Sequence, residues 1–219
     1  MLIDLHTHSY PHSDDSFMSV DELIESSKSV GLDGICLTDH DVFWTEQQIQ
    51  DLSSKHDFLV IPGCEINTEA GHVLVFGLSQ YEFGMHRPEF LQASVDKAEG
   101  VMIAAHPYRR RFLEEPAERP GVREEMLERA SGDEFFQMCQ GIEVLNGRGL
   151  AVQNKFSLEL GGLLSTNMTA GSDAHKLEQI GTVATKFKRP VFCLEDLIRE
   201  LREGRYQPVD LRRKTAPNP

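Results

Sequence analysis

The chain has 219 residues, 40% of them hydrophobic and 26% charged, which is the composition of an ordinary globular domain and excludes disordered, collagen-like and coiled-coil classes. Its 22 Lys and Arg against 35 Asp and Glu leave a net charge of -13, a balance that repels polyanions and argues against nonspecific nucleic-acid binding, although bound divalent cations would still attract a phosphate. No apolar run approaches the roughly 20 residues of a membrane span. Cys36, Cys64, Cys139 and Cys193 are widely spaced with no C-x-x-C, and no secretory leader precedes the first strand, so the sequence predicts free thiols, a cytoplasmic setting and no membrane partner.

In chain order, LIDLHTH reads as a strand, and SVDELIESSKSVG as a helix capped by Ser19 and stopped by Gly31. GICLTDH is a second strand and VFWTEQQIQDLSSKH a second helix opening near Asp41, which makes a βαβ unit. FLVIPGCEI and GHVLVFGL follow as strands, PEFLQASVDKAEG as a helix, VMIAAHP and GIEVLNG as strands. SLELGGLLSTNMTAGSDAH joins a helical piece to a strand, VATKF is a strand, and EDLIRELREG is the closing helix. About seven strands alternating with helices predict a parallel, TIM-like α/β barrel forming a single domain over residues 1–208. The charge-rich stretch 109–139 is long for a βα connection; it reads as an active-site loop or lid with a helix over Val122–Ala130, or as a solvated excursion. Residues 209–219 read as a flexible tail.

Residues two apart in a strand share a face, so His6 and His8 project together from the end of the first strand and suit one metal ion. The same spacing returns in AGSDAH with Asp173 and His175, and between the two pairs His40, Glu65, His72 and His106 each sit at or beside the end of an apolar run. In a parallel barrel the strand ends gather on one face, which would bring all of these into one pocket. Imidazoles with carboxylates and no thiolate suit zinc, manganese or iron, and so many candidate ligands imply two or three ions sharing a bridging carboxylate, best supplied by Glu65. Such a centre fits phosphoester hydrolysis by a metal-bridging hydroxide. No G-x-S-x-G, P-loop or dinucleotide fingerprint competes with this reading.

DLHTHS, LTDHD, the glutamate of PGCEI, AAHP and GSDAH, in that order at successive strand ends, resemble the motifs of the PHP (polymerase and histidinol phosphatase) family over Asp4 to about His175. SVDELIESSKSVGLDGICLTDHD resembles its stand-alone, metal-dependent phosphoesterase type in particular. The resemblance implies a distorted (β/α)7 barrel with up to three metals. His6 and His8 with Glu65 and Asp173 would hold the first ion, His40 and His175 with a loop residue the second, and Glu65 and His106 with His72 the third. Glu65, His40 and His175 would carry the catalytic roles. The loop residue departs from the family pattern: HSDDS offers Asp14, favoured by spacing, then Asp15, then His12.

Around these, Arg109 and Arg148 follow strands and are candidates to neutralise a phosphate, whereas Arg110 and Arg111 read as solvated. Asp39 reads as a supporting or capping carboxylate, Phe43 and Trp44 as packing residues, and His56 and His86 as surface residues. The function these readings imply is a metal-dependent phosphoesterase acting on a small phosphorylated metabolite or nucleotide. The alternatives are a nuclease working on oligonucleotide or RNA ends with the same ions, and a metal-binding module without turnover.

Overall fold

A computed structural model describes residues 1–107, 109 and 121–212. Its strands form two five-stranded mixed sheets rather than one closed parallel barrel. In the first, β1 (Leu2–Thr7), β2 (Gly34–Leu37) and β3 (Leu59–Pro62) run parallel, while β9 (Val183–Phe187) pairs antiparallel with β1 and with β10 (Tyr206–Asp210). In the second, β4 (Cys64–Thr68), β5 (Gly71–Phe76) and β6 (Val101–Ala104) are antiparallel, and β7 (Gly141–Asn146) and β8 (Asn167–Gly171) continue from β6 in parallel.

Two seams join the sheets. At one, His40 bridges to Glu65, with the Asp41 amide donating to the Glu65 carbonyl (3.0 Å) and the Gly63 amide to the Leu37 carbonyl (2.9 Å). At the other, the Asp173 amide donates to the His6 carbonyl (2.8 Å) and the His8 amide to the Ala174 carbonyl (3.1 Å). FLVIPGCEI, expected as one strand, is therefore β3 and β4 on different sheets. The chain bends at Gly63, where a Cβ would come within 2.7 Å of the Phe76 ring, so only glycine fits the corner.

Helix α1 (Val20–Ser29) carries the expected Ser19 cap, closed into a capping box by Glu22. Helix α2 (Glu46–His56) starts at a Thr45/Gln48 capping box rather than near Asp41, because Asp41 adopts φ 53° and is committed to the turn after β2. Both lie over the first sheet, sharing a core of Leu23, Ile24, Ile35, Leu37, Ile49 and Val60. Helices α3 (Pro88–Lys97), α4 (Val122–Ser131), α5 (Glu134–Met138) and α6 (Ala151–Leu164) cover the second sheet, where Phe136, Phe156 and Leu160 pack on Val73, Val75 and Ile142. A third cluster, with Ile3, Leu5, Leu74, Phe76 and Ile103, fills the space between the sheets and is closed by Leu197 and Leu201 of α7 (Leu194–Arg202).

Helix α4 matches the helix anticipated over Val122–Ala130, but residue 108 and residues 110–120 of the 109–139 stretch, Arg110 and Arg111 included, lie outside the described residues. The tail expected from 209 begins inside β10, whose pairing with β9 runs to Asp210, and residues 213–219 lie outside the described residues. His56 is buried rather than on the surface: it sits where α2 docks on α1, with its ring nitrogens 2.6 Å from Glu25 Oε1 and 2.7 Å from Asp21 Oδ1. No described helix is long and apolar enough to cross a membrane. All four cysteines are free, and only Cys193 is exposed.

Candidate metal centre

The strand directions explain how the ligand candidates meet. His6 and His8 come from β1 and the residue just beyond it, His40 from the turn after β2, and Glu65 from β4. His72 opens β5 rather than ending a strand, yet β5 is antiparallel to both neighbours, so its first residues lie at the same rim as the last residues of β6 and the following His106. In the β4–β5 ladder Glu65 pairs with Leu74 and Asn67 with His72, and period-two alternation puts Glu65 and His72 on one face. Asp173 and His175 enter over the β1–β8 seam.

Glu65 lies at the centre. Its Oε2 is 3.3 Å from His6 Nε2, 3.3 Å from His8 Nε2 and 3.0 Å from His40 Nδ1, and its Oε1 is 2.6 Å from His72 Nδ1 and 3.0 Å from His106 Nε2. Asp173 Oδ1 stands 3.7 Å from His6 Nε2 and 3.5 Å from both His8 Nε2 and His175 Nδ1. Donor atoms converge in four overlapping groups: His6, His8 and Glu65; His6, His106 and Asp173; His8, His40 and His175; and His40, Glu65 and His72. His106 and Asp173 hold left-handed backbone angles, φ 26° and 55°, conformations that cost about 1–3 kcal/mol each and gather at functional sites.

Burial would raise the Glu65 carboxyl, but the surrounding imidazoles of His6, His106 and His40 hold it well below the usual carboxylate range. Asp173 is likewise held low by His6, His8 and Arg109 against its burial. His175 is pushed down to about 4, chiefly by burial and by the neighbouring His8, which keeps its ring neutral and fit to coordinate.

Supporting bonds fix the rings. Ser13 Oγ donates to Asp39 Oδ1 (2.7 Å) and so accepts from His8 Nδ1 (3.1 Å), turning His8 Nε2 inward. Asp39 also accepts from the Ser9 amide (2.6 Å), the Ser9 hydroxyl (3.0 Å) and Trp44 Nε1 (2.9 Å), which bears out its reading as a supporting carboxylate. Within this core the Nε2 atoms of His6 and His8 and Oε2 of Glu65 are buried and make no hydrogen bond. Facing acceptors of this kind are costly to bury unless a cation satisfies them. The residues present, imidazoles and carboxylates, therefore fit divalent metal ions.

Residues 4–150 match the family model of the PHP domain, and residues 153–206 match that of the PHP-associated region. The chain belongs to the PHP family. Solved structures with the same PHP-like fold include PsfC from Pseudomonas syringae, 18% identical over 95% of this chain and 91% of that one, with a TM-score of 0.64. A two-domain protein from Bacteroides vulgatus containing a predicted PHP-like metal-dependent phosphoesterase is 18% identical over 96% of this chain and 65% of its own, with a TM-score of 0.65. An amidohydrolase from Chromobacterium violaceum, solved with sulfate and no metal, is 18% identical over 94% of this chain and 97% of that one, with a TM-score of 0.58. No curated protein matches the chain.

His6, His8, His40, Glu65, His106, Asp173 and His175 of the quoted motifs come together, and His72, which lies outside those motifs, joins them. The loop carboxylate is the exception. Asp15, not Asp14, reaches the centre, with Oδ2 3.0 Å from His175 Nε2 and Oδ1 3.6 Å from His40 Nε2. Ser13 and Ser16 anchor this turn, the Ser16 amide donating to the Ser13 carbonyl (3.1 Å) and its hydroxyl to the His8 carbonyl (3.0 Å). His12 instead packs its ring on Trp44, with centroids 4.2 Å apart. Asp15→Ala is expected to weaken binding of one ion by at least the roughly 10- to 100-fold that losing an outer partner costs. Asp14→Ala should leave it unchanged, and chelator competition titrations compare the two.

Arg109 and Arg148 reach the same place. Arg109 Nη1 donates to Asp173 Oδ2 (2.5 Å) and Nη2 to Asn146 Oδ1 (2.9 Å), while Arg148 Nη1 lies 3.4 Å from Asp173 Oδ1 and 2.9 Å from the His175 ring. Sequence reasoning missed Glu143 and Asn146 of β7, both buried at the floor of the centre. Their one sequence signal is a carboxylate lying between Ile142 and Val144 in an otherwise apolar run.

Proposed function

We infer that this PHP chain hydrolyses the phosphoester of a small phosphorylated metabolite or nucleotide, using two or three zinc, manganese or iron ions. The observation that carries the reading is the Glu65 carboxylate, buried and within 3.3 Å of ring nitrogens from five histidines. A carboxylate so placed suits a bridge, and the first ion would rest on His6, His8, Glu65 and Asp173. The second would rest on His40, His175 and Asp15, and the third on Glu65, His106 and His72. Bound there, such ions supply Lewis acidity toward a phosphoryl oxygen and lower the pKa of water toward neutrality.

The chain's own groups account for the rest. Glu65, His40 and His175 border the position where the reacting phosphorus would sit and are assigned the catalytic roles. Arg109 and Arg148, both partly exposed on the rim, would turn their guanidinium groups to the non-bridging oxygens of the substrate. The net charge of -13 favours a small substrate over a nucleic-acid chain, and three buried free thiols fit a reducing, cytoplasmic setting.

Phosphate release measured with manganese across phosphorylated metabolites, nucleotides and short oligonucleotides tests this. Turnover of one or a few small phosphoesters, lost on chelation and restored by metal, is expected. Turnover confined to oligonucleotide ends would make the chain a nuclease, and metal binding with no turnover on any of them would make it a non-catalytic module.

A further inference from the structure

Glu143 lies on β7 and is fully enclosed. Its Oε1 is 2.9 Å from Nδ1 of His6. Its Oε2 accepts from the His106 amide (2.9 Å) and from Nδ2 of Asn146 (2.9 Å). Asn146 also donates to Asp173 Oδ2 (3.2 Å) and accepts from Arg109 and from the Arg148 amide (3.0 Å). One carboxylate thus connects β1, the left-handed turn at His106 and, through Asn146, the Asp173 and arginine side of the rim. The chain makes room for it: at Gly171 a Cβ would lie 2.7 Å from Glu143 Oε1 and 2.3 Å from His6 Cβ.

We propose that Glu143 is the positioning residue of the first ion, holding the His6 ring by its Nδ1–H so that Nε2 presents its lone pair to metal. This rests on the metal-centre reading above. An imidazole has two nitrogens and its neutral form one proton, so the partner at Nδ1 decides which nitrogen can ligate. Oε2 already has two donors, which fixes how an amide would sit in the same place. In Glu143→Gln the amide oxygen must take the Oε2 position to satisfy the His106 and Asn146 donors. Its NH2 then faces His6 Nδ1 and turns it into an acceptor. The proton moves to Nε2, and the ligand is lost without any change in side-chain volume.

The test titrates zinc alone into the chelator-stripped full chain, wild type and E143Q, against a chromophoric chelator. Melting of both metal-free proteins is followed in parallel. Expected are a 10- to 100-fold weaker affinity for one equivalent of zinc, the range for outer partners, and no fall in the metal-free melting temperature. The zinc-loaded wild type should also show an exchange-protected His6 Nδ1–H in 15N-edited spectra that E143Q lacks. Unchanged zinc affinity in E143Q would overturn the proposal, and so would an affinity loss accompanied by collapse of the metal-free fold, which would assign Glu143 to stability alone. If the wild type itself binds no zinc, it is the metal-centre reading that fails.

Discussion

Glu65→Ala is expected to abolish phosphate release, with turnover falling by about 10³-fold or more and at least one metal equivalent lost. The reason is position: no other carboxylate among the described residues faces His6, His8, His40, His72 and His106 together. Without it the imidazoles retain Asp173 and Asp15 inside the centre, and His6 keeps Glu143 behind its ring. Metal ions contribute several kcal/mol of charge stabilisation to a phosphoryl transition state, and about 1.4 kcal/mol is a tenfold change in rate. Steady-state assays with metal analysis on the purified variant check both halves. Retained turnover with full metal content would remove Glu65 from its central role.

Gly171→Ala is expected to destabilise the protein strongly. The added carbon would meet His6 Cβ at 2.3 Å and the His6 amide nitrogen at 3.0 Å, both fixed to the β1 backbone, so no rotamer change relieves the overlap. Overpacking typically costs 1–3 kcal/mol and more where backbone must yield, so we expect roughly 3 kcal/mol. For a chain of this size that is about 6–12 °C in melting temperature. Gly162, on an exposed part of α6 with nothing within 4 Å of a built Cβ, provides the control. There an alanine should be neutral or mildly stabilising. Equal melting of the two variants would mean that the β1–β8 seam is softer than its contacts imply.

The parts of the centre that were legible in the sequence are those whose signal is local. His6 with His8 and Asp173 with His175 declare themselves through spacing along one extended segment, and His40 and His106 through the apolar runs before them. What the sequence hid depends on partners far along the chain. His72 was a candidate at the start of a run rather than its end, and only the antiparallel pairing of β5 with β4 and β6 makes that start equivalent to its neighbours' ends. Asp14 and Asp15 differ by one position in a tight turn, and only the folded turn shows Asp15 beside His40 and His175. Glu143 went unread because its partners His6, His106 and Asn146 converge only in three dimensions. His56 read as a surface residue because the docking of α2 on α1 was not visible. The same blindness merged β3 with β4 and made two sheets look like one barrel.

The two seams carry a consequence for how the molecule comes apart. His40 and Glu65 stitch one junction between the sheets, and His6, His8, Asp173 and Ala174 stitch the other, through their own main-chain atoms. The residues that would grip the ions are thus also the rivets of the two half-shells. Metal bound between them would clasp both joints, and its grip would be felt as cohesion of the whole shell. Conversely, the halves cannot part and keep an intact ligand set, so opening of the shell would release any ions bound there.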